Sequence, residues 1–271
     1  MKKTMLKAAL LAAVCCAVGA VCAFGACGDS GTFDEREPEA SDYANFKTYM
    51  TDTLAYDGSF TIAFNFVMAE EDDVEMTIDY VSSYDSENDK AYMSEEEDGS
   101  SYTYYYVNGT DGITEYYDNG NYKRAYNHGS DSSYAKYFNF YDYVTQIVED
   151  PSDLSTEADV SQYIVEALKK TDGIEFEADN LTLTVKGENG SIYYIVKGNT
   201  TESYTNSSYE YSTTMQVIFT DGILTGVSCY LSEDYYRDGE LYRTESYDVN
   251  ITVSYEWDSS IEWPTDFSEF S

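Results

Sequence analysis

Histidine and cysteine, two residue types that often carry catalysis, are scarce in this chain after residue 27. His128 is the only histidine, and its setting, Asn127-His128-Gly129-Ser130, favours a polar loop. A triad built on it would need a placed nucleophile and acid, and one histidine with one cysteine after Cys27 falls short of the usual zinc ligand set. No glycine-rich phosphate-binding loop occurs, and no pair among the 51 acidic residues stands out for glycoside hydrolysis. The sequence therefore predicts a protein that is not an enzyme, with no catalytic residue, metal or cofactor.

One acidic segment has the spacing of a calcium-binding loop. Asp85, Glu87, Asp89 and Glu96 occupy positions 1, 3, 5 and 12 of that template. The sixth position needs glycine for its sharp turn, and here it is Lys90. Since the flanking residues alternate like strands, the segment is predicted to be a solvated acidic hairpin.

Tyrosine is unusually frequent, at 30 of 271 residues. Adjacent pairs such as Tyr116-Tyr117 and Tyr235-Tyr236 must point to opposite faces of a strand. One interpretation is strand propensity combined with partial burial. The other is a surface for glycan or protein contact, where tyrosine supplies contact area with little loss of entropy.

The N-terminus has the form of a secretory signal. Lys2, Lys3 and Lys7 precede an uncharged apolar run from Ala8 to Ala23. The run is about 16 residues, short of the roughly 20 that a membrane-spanning helix needs. Residues 1–26 are therefore predicted to be a signal peptide.

The residues after that run resemble the lipobox of bacterial lipoproteins. Gly25 and Ala26 precede Cys27, while Phe24 stands where the lipobox usually has leucine. The resemblance implies that Cys27 receives a diacylglyceryl group and becomes the mature N-terminus. Cys22 is a competing position, and an ordinary signal peptide is the alternative. Two acyl chains are enough for stable anchoring, so the lipidated protein would be held on the outer face of the cell membrane.

Charge and cysteine content describe the mature chain. Removing residues 1–26 removes three of the 15 basic residues and none of the 51 acidic ones, so the formal charge changes from −36 to −39. Such a charge repels nucleic acid, which is excluded as a partner. Cys229 would be the one cysteine besides Cys27, and its phase with Val227 and Leu231 predicts a small buried apolar side chain.

The rest of the chain is predicted to form a tether and one domain. Residues 27–41 are glycine- and acid-rich, which indicates a flexible tether. Residues 42–271 begin with helical spacing, where Asp42 could cap the helix, and contain a helical insert at about 134–170. Elsewhere the alternation has a period of two, broken by Asn-Gly and Asp-Gly turns. The fold class is mainly β (α+β): a curved antiparallel sheet, or open half-barrel, of about ten strands covered by the first helix and the insert.

This order of elements resembles the LolA/LolB/LppX superfamily, and the closing stretch from Met215 to Pro264 looks like the last strands of such domains in Gram-positive lipoproteins of uncharacterised function. The resemblance implies that an apolar or lipid ligand is carried between sheet and helices. The face predicted to contact it is formed by Phe60, Ile62, Phe64, Phe66, Val249, Ile251 and Val253. The alternative is a structural or interaction module of the cell envelope that presents an acidic, tyrosine-rich surface.

Overall fold

The computed structural model describes residues 33–139 except 72, 98, 131 and 132, together with residues 156, 159, 160 and 178–270. Its main elements are twelve β-strands and one long α-helix, α1, which spans Ala40–Leu54. The strands are β1 Phe33–Arg36, β2 Phe60–Glu70, β3 Asp73–Asp85, β4 Lys90–Glu97, β5 Ser100–Gly109, β6 Gly112–Asp118, β7 Lys123–Gly129, β8 Leu181–Glu188, β9 Ser191–Ser203, β10 Ser207–Thr220, β11 Ile223–Arg237 and β12 Glu240–Ser254. The predicted signal peptide, Cys27 and most of the predicted insert lie outside these residues.

All twelve strands belong to one open antiparallel sheet in the order β1-β8-β9-β10-β11-β12-β2-β3-β4-β5-β6-β7. Strands β2 to β7 follow one another as a meander, and so do β8 to β12. The pairing of β12 with β2 joins the two meanders. The prediction of a mainly β antiparallel sheet is confirmed, but the expected number of about ten strands was too low.

Tight turns connect the long strands as the dipeptides predicted. At Asp221-Gly222, which joins β10 to β11, both residues have positive φ, 53° and 77°. Asp238-Gly239 joins β11 to β12 with φ of 52° and 84°. Two successive positive φ values match the right-handed twist of a hairpin, and aspartate followed by glycine adopts them at low cost.

Helix α1 covers part of one face of the sheet. Phe46 and Met50 are buried, as their helical spacing predicted. The helix begins at Ala40, so Asp42 lies inside its first turn and does not precede it as a cap. The Asp42 carboxylate accepts a hydrogen bond from the backbone N–H of Glu39, 2.7 Å away, which satisfies a donor at the helix start. The face against α1, which also carries Phe64, is called the inner face and the opposite one the outer face.

The segment predicted to be a tether contributes to the domain. Its residues Phe33–Arg36 form β1, which pairs with β8 along the edge of the sheet. Arg36 ties this strand to α1, because its guanidinium donates to the Asp42 carboxylate across 2.7 Å and 3.3 Å. The expected flexible tether over residues 27–41 is therefore wrong from residue 33 onward, since the exposed edge of β8 supplies a pairing partner.

Only a few residues of the predicted helical insert are described. Ala135–Phe138 form a 3₁₀ turn, where a longer helix was expected to begin. Asp159 and Val160 are helical, and Val160 is fully buried in the main core. Val160 of the predicted insert therefore contacts the inner face.

The C-terminal residues lie on the outer face. The alternation was expected to continue through Tyr255 and Trp257. Strand β12 ends earlier, at Ser254. Phe267 stacks on Tyr116 with ring centroids 4.0 Å apart, and Trp263 meets Tyr105 edge to face at 5.3 Å. This stretch covers the outer face of β5 and β6.

Candidate functional site

The seven residues predicted to form an apolar ligand face lie together on the inner face. Cross-strand pairs between β2 and β12 join Phe66 to Val249, Phe64 to Ile251 and Ile62 to Val253. All seven side chains are buried. Their exposed fractions are 0% for Phe60, 3% for Ile62, 3% for Phe64, 2% for Phe66, 8% for Val249, 2% for Ile251 and 6% for Val253.

The apolar patch continues on both sides of this junction. Ile78 on β3 lies opposite Phe66, and Val227 on β11 lies opposite Ile251. Farther along, Met215 on β10 pairs with Val196 on β9. Since these residues are all buried, one apolar surface crosses most of the sheet.

Two different parts of the chain cover this surface. From α1, Phe46 contacts Tyr194 on β9 and Phe219 on β10, with ring centroids 4.9 Å and 5.7 Å apart. Tyr194 also donates a hydrogen bond to the Asp42 carbonyl oxygen, 2.8 Å away. Val160, from the central segment, belongs to the same core cluster as the seven residues on β2 and β12.

A charged group lies on the inner face at the end near the β11–β12 turn. Glu233 and Glu245 are directly opposite on β11 and β12, and both are buried. Arg243 approaches Glu245 to 3.1 Å and Glu233 to 3.8 Å, and the Tyr247 hydroxyl donates to Glu245 across 2.7 Å. These residues were missed in the sequence, although Glu233 is in phase with the buried positions of β11. They are called the charged end.

A second surface on the inner face is made of tyrosines from β5 to β7. Tyr102, Tyr104 and Tyr117 are half-buried, while Tyr122 and Tyr126 are 46% and 41% exposed. Tyr117 joins the group, with ring centroids 5.0 Å from Tyr104, 5.5 Å from Tyr122 and 6.5 Å from Tyr102. These five residues are called the tyrosine face.

Carboxylates lie beside the tyrosine face. Glu95 on β4 pairs with Tyr102, and Glu97 lies two residues along on the same side of the strand. Burial, and next the charge of Glu97, raise the pKa of Glu95. Burial is also the main reason that the pKa of Tyr104 rises to about 12, with Tyr117, Glu95 and Glu115 adding to it. The carboxylates and the rings therefore share one electrostatic environment.

His128 and Cys229, the two other side chains considered for catalysis, are packed against neighbouring residues of the domain. His128 lies in β7 and not in a loop, with Nε2 3.3 Å from Glu115 and its ring stacked on Tyr134 at 3.6 Å. Cys229 is buried in β11, as predicted, with its Sγ 3.9 Å from the Thr213 hydroxyl. Nothing in these contacts forms a nucleophile with an activating base.

The acidic segment at Asp85 is a hairpin, as its alternation predicted. Asp85 is buried and not solvated, and it accepts hydrogen bonds from the backbone N–H of Glu87 and Asn88 at 3.1 Å and 3.2 Å. Lys90 lies 3.4 Å from its carboxylate. Its oxygens are thus used by the turn, and the part of the chain that the structure describes holds no group of three or more potential metal ligands.

Comparisons with known proteins identify no family. No protein-family model matches the chain, and no curated protein matches it in sequence. Among solved structures, it is similar to a DUF1329 family protein from Desulfovibrio piger, with 10% identity over 84% of this chain and 96% of the other and a TM-score of 0.21. It is also similar to a LolA superfamily protein from Nitrosomonas europaea, with 10% identity over 83% and 94% and a TM-score of 0.20. At TM-scores this low, the matches carry no inference about function.

Within the described ranges, no helix has both the length and the apolarity needed to cross a bilayer.

Proposed function

We propose that this protein is an exported, lipid-anchored, non-enzymatic binding protein that holds an apolar ligand between its sheet and its helical cover. The observation that carries the proposal is the contiguous patch in which Phe64 and Phe66 pair with Ile251 and Val249 across the β2–β12 junction. Small-molecule sites are concave and mostly apolar, and this surface would line such a site if part of its cover moved away.

Entry of a ligand requires part of the cover to move. The patch residues are at most 8% exposed, so the described conformation is closed. The ring contacts of Phe46 on α1 go to Tyr194 and Phe219, on β9 and β10. Val160 belongs to the same core cluster, so it and α1 both contribute to this closed cover.

The charge of the protein restricts the ligand. The formal charge of the whole chain is −36, and Glu233 and Glu245 lie at the charged end of the inner face. Arg243 offsets one of the two carboxylates, and the group as a whole stays negative, so it would repel an anionic headgroup. The proposed ligand is therefore an acyl lipid with a neutral or zwitterionic headgroup.

Two measurements on the full chain test this function. Native mass spectrometry asks whether the purified protein carries a non-covalently bound lipid in addition to any covalent anchor. Urea unfolding asks whether adding a diacylglycerol stabilises it, by about 2.7 kcal/mol at a hundredfold excess over the dissociation constant. Phe64→Leu should reduce the lipid-dependent shift, whereas Thr252→Ala, on the outer face beside Ile251, should keep it. Absence of bound lipid and of any shift rejects the proposal.

The proposed anchor needs its own test. The observation that supports the anchor is the pair of small residues Gly25-Ala26 directly before Cys27. Metabolic labelling with a fatty acid should mark the parent protein and the matched variant Cys22→Ala, but not Cys27→Ala. Label that persists in Cys27→Ala would show that the lipid is attached elsewhere.

A second candidate function is an interaction module of the cell envelope. The observation that favours it is the partial exposure of the tyrosine face, which lies on β5 to β7 and apart from the β2–β12 junction. A protein that binds no lipid but loses a partner when these rings are removed would fit this alternative.

A further inference from the structure

The half-buried and exposed rings of the tyrosine face can attract cations. The face of an aromatic ring carries negative electrostatic potential, so a guanidinium or ammonium group placed over it is stabilised. Tyr102, Tyr104 and Tyr117 form a connected row of such rings with centroids 5.0 Å and 6.5 Å from Tyr117.

Carboxylates on the same face add to this attraction. Glu95 and Glu97 lie on the inner side of β4, and Glu115 lies between Ile113 and Tyr117 on the inner side of β6. Arg124 brings a positive charge to the same side, and its guanidinium already covers Tyr122 at 4.8 Å. The rings of Tyr102, Tyr104 and Tyr117 thus lie in a negative environment.

The protein uses the same pairing in its own fold. Lys90 lies over Trp257 and Trp263, with its ammonium 4.7 Å and 4.9 Å from the ring centroids. Lys123 lies 5.2 Å from the ring of Phe270. Lys90 and Lys123 therefore each lie over an aromatic ring and close to a carboxylate, that of Asp85 and that of Glu269.

We propose that the tyrosine face docks a protein segment rich in arginine and lysine. The cationic groups would lie over Tyr102, Tyr104 and Tyr117, and Glu95 and Glu97 would neutralise their charge. A chain with a formal charge of −36 and 30 tyrosines complements such a basic partner and repels polyanions. This docking surface is separate from the apolar patch at the β2–β12 junction, so it does not depend on lipid binding.

The test compares two peptides on the purified full chain in nonionic detergent. One is a fluorescent decapeptide that alternates arginine and glycine, and the other replaces arginine with citrulline, which has nearly the same shape but no charge. Binding is measured by fluorescence anisotropy at about 0.15 M ionic strength, where charges beyond about 8 Å are screened. The arginine peptide should bind and the citrulline peptide should bind far more weakly. Equal binding of the two peptides overturns the proposal.

Ring variants locate the site. Tyr102→Leu and Tyr117→Leu should each lower the affinity for the arginine peptide about two- to fivefold, the range expected for loss of one solvent-accessible cation–π contact. Tyr230→Leu, a ring 46% exposed on the outer side of β11, is the matched control and should have no effect. Tyr102→Phe should keep the affinity, because the ring is retained. Circular dichroism identifies any variant that fails to fold, and the other ring position then decides.

A charge pair separates docking on this face from general attraction to an acidic protein. Glu97→Gln removes a carboxylate on the tyrosine side of β4, whereas Glu96→Gln removes one from its exposed outer side. Glu97→Gln should lower the affinity for the arginine peptide more than Glu96→Gln does. Equal weakening, or a neutral hexasaccharide that binds with the same dependence on the rings, overturns the proposal.

Discussion

Phe64 on β2 and Ile251 on β12 lie directly opposite each other on the inner face, with 3% and 2% of their surfaces exposed. This pair stands at the only place where the described strands of the two meanders are joined, because β12 is the last strand of one and β2 the first of the other. Packing at this position therefore holds the sheet together.

Phe64→Ala should strongly destabilise the protein. Removal of a fully packed phenylalanine leaves a cavity and typically costs about 3–5 kcal/mol in the free energy of unfolding. Urea denaturation measures it, with Thr252→Ala as the control, which should stay within about 0.5 kcal/mol of the parent. A loss below about 1 kcal/mol for Phe64→Ala would mean that the cover does not pack tightly on this face.

A second prediction concerns the ion pair that ties β1 to α1. Arg36 donates to both oxygens of Asp42, and Asp42 is buried. Arg36→Met should cost about 1.5 kcal/mol, the lower end for a hydrogen bond to a charged group because the arginine is partly exposed. The double variant with Asp42→Asn should cost less than the sum of the two single variants, since no buried carboxylate is left unpaired. An additive double variant would show that the pair contributes nothing.

A third prediction concerns calcium at the β3–β4 turn. The Asp85 carboxylate already accepts backbone hydrogen bonds and pairs with Lys90. Calorimetry should therefore detect no calcium binding tighter than about 10⁻⁴–10⁻³ M, the range of weak extracellular modules. A stoichiometric micromolar site that disappears in Asp85→Asn would contradict this.

Alternation identified the inner face where the outer face is wet. Along β12, Val249, Ile251 and Val253 are buried while Asn250 and Thr252 are exposed, so the period of two is plain in the sequence. The seven predicted residues on β2 and β12 therefore share one buried face, while their contact with a ligand stays a prediction.

The same rule failed on β5 and β6, where both faces carry aromatic side chains. Tyr106 is buried on the inner face, while Tyr105 is packed against Trp263 on the outer face. With aromatic residues on both sides, the contrast that marks a strand disappears. The charged end was missed for a different reason: carboxylates such as Glu233 and Glu245 are seldom buried, so their position in the alternation does not by itself indicate burial.

The last prediction uses the pH dependence of stability at Glu95. Burial, followed by the charge of Glu97, raises the pKa of Glu95 above its ordinary value, so the folded protein favours the protonated form. A raised carboxyl pKa leaves stability intact at low pH and lowers it as the pH rises through the folded value. Glu95→Gln should therefore melt at a higher temperature than the parent at about pH 7 and at nearly the same temperature at about pH 4. Glu96→Gln removes an equal charge from the exposed outer side of β4 and controls for the general relief of repulsion. Thermal unfolding across this range decides the point: if Glu95→Gln gains no more than Glu96→Gln near neutral pH, the carboxylate of Glu95 is solvated and the cost assigned to its burial is absent.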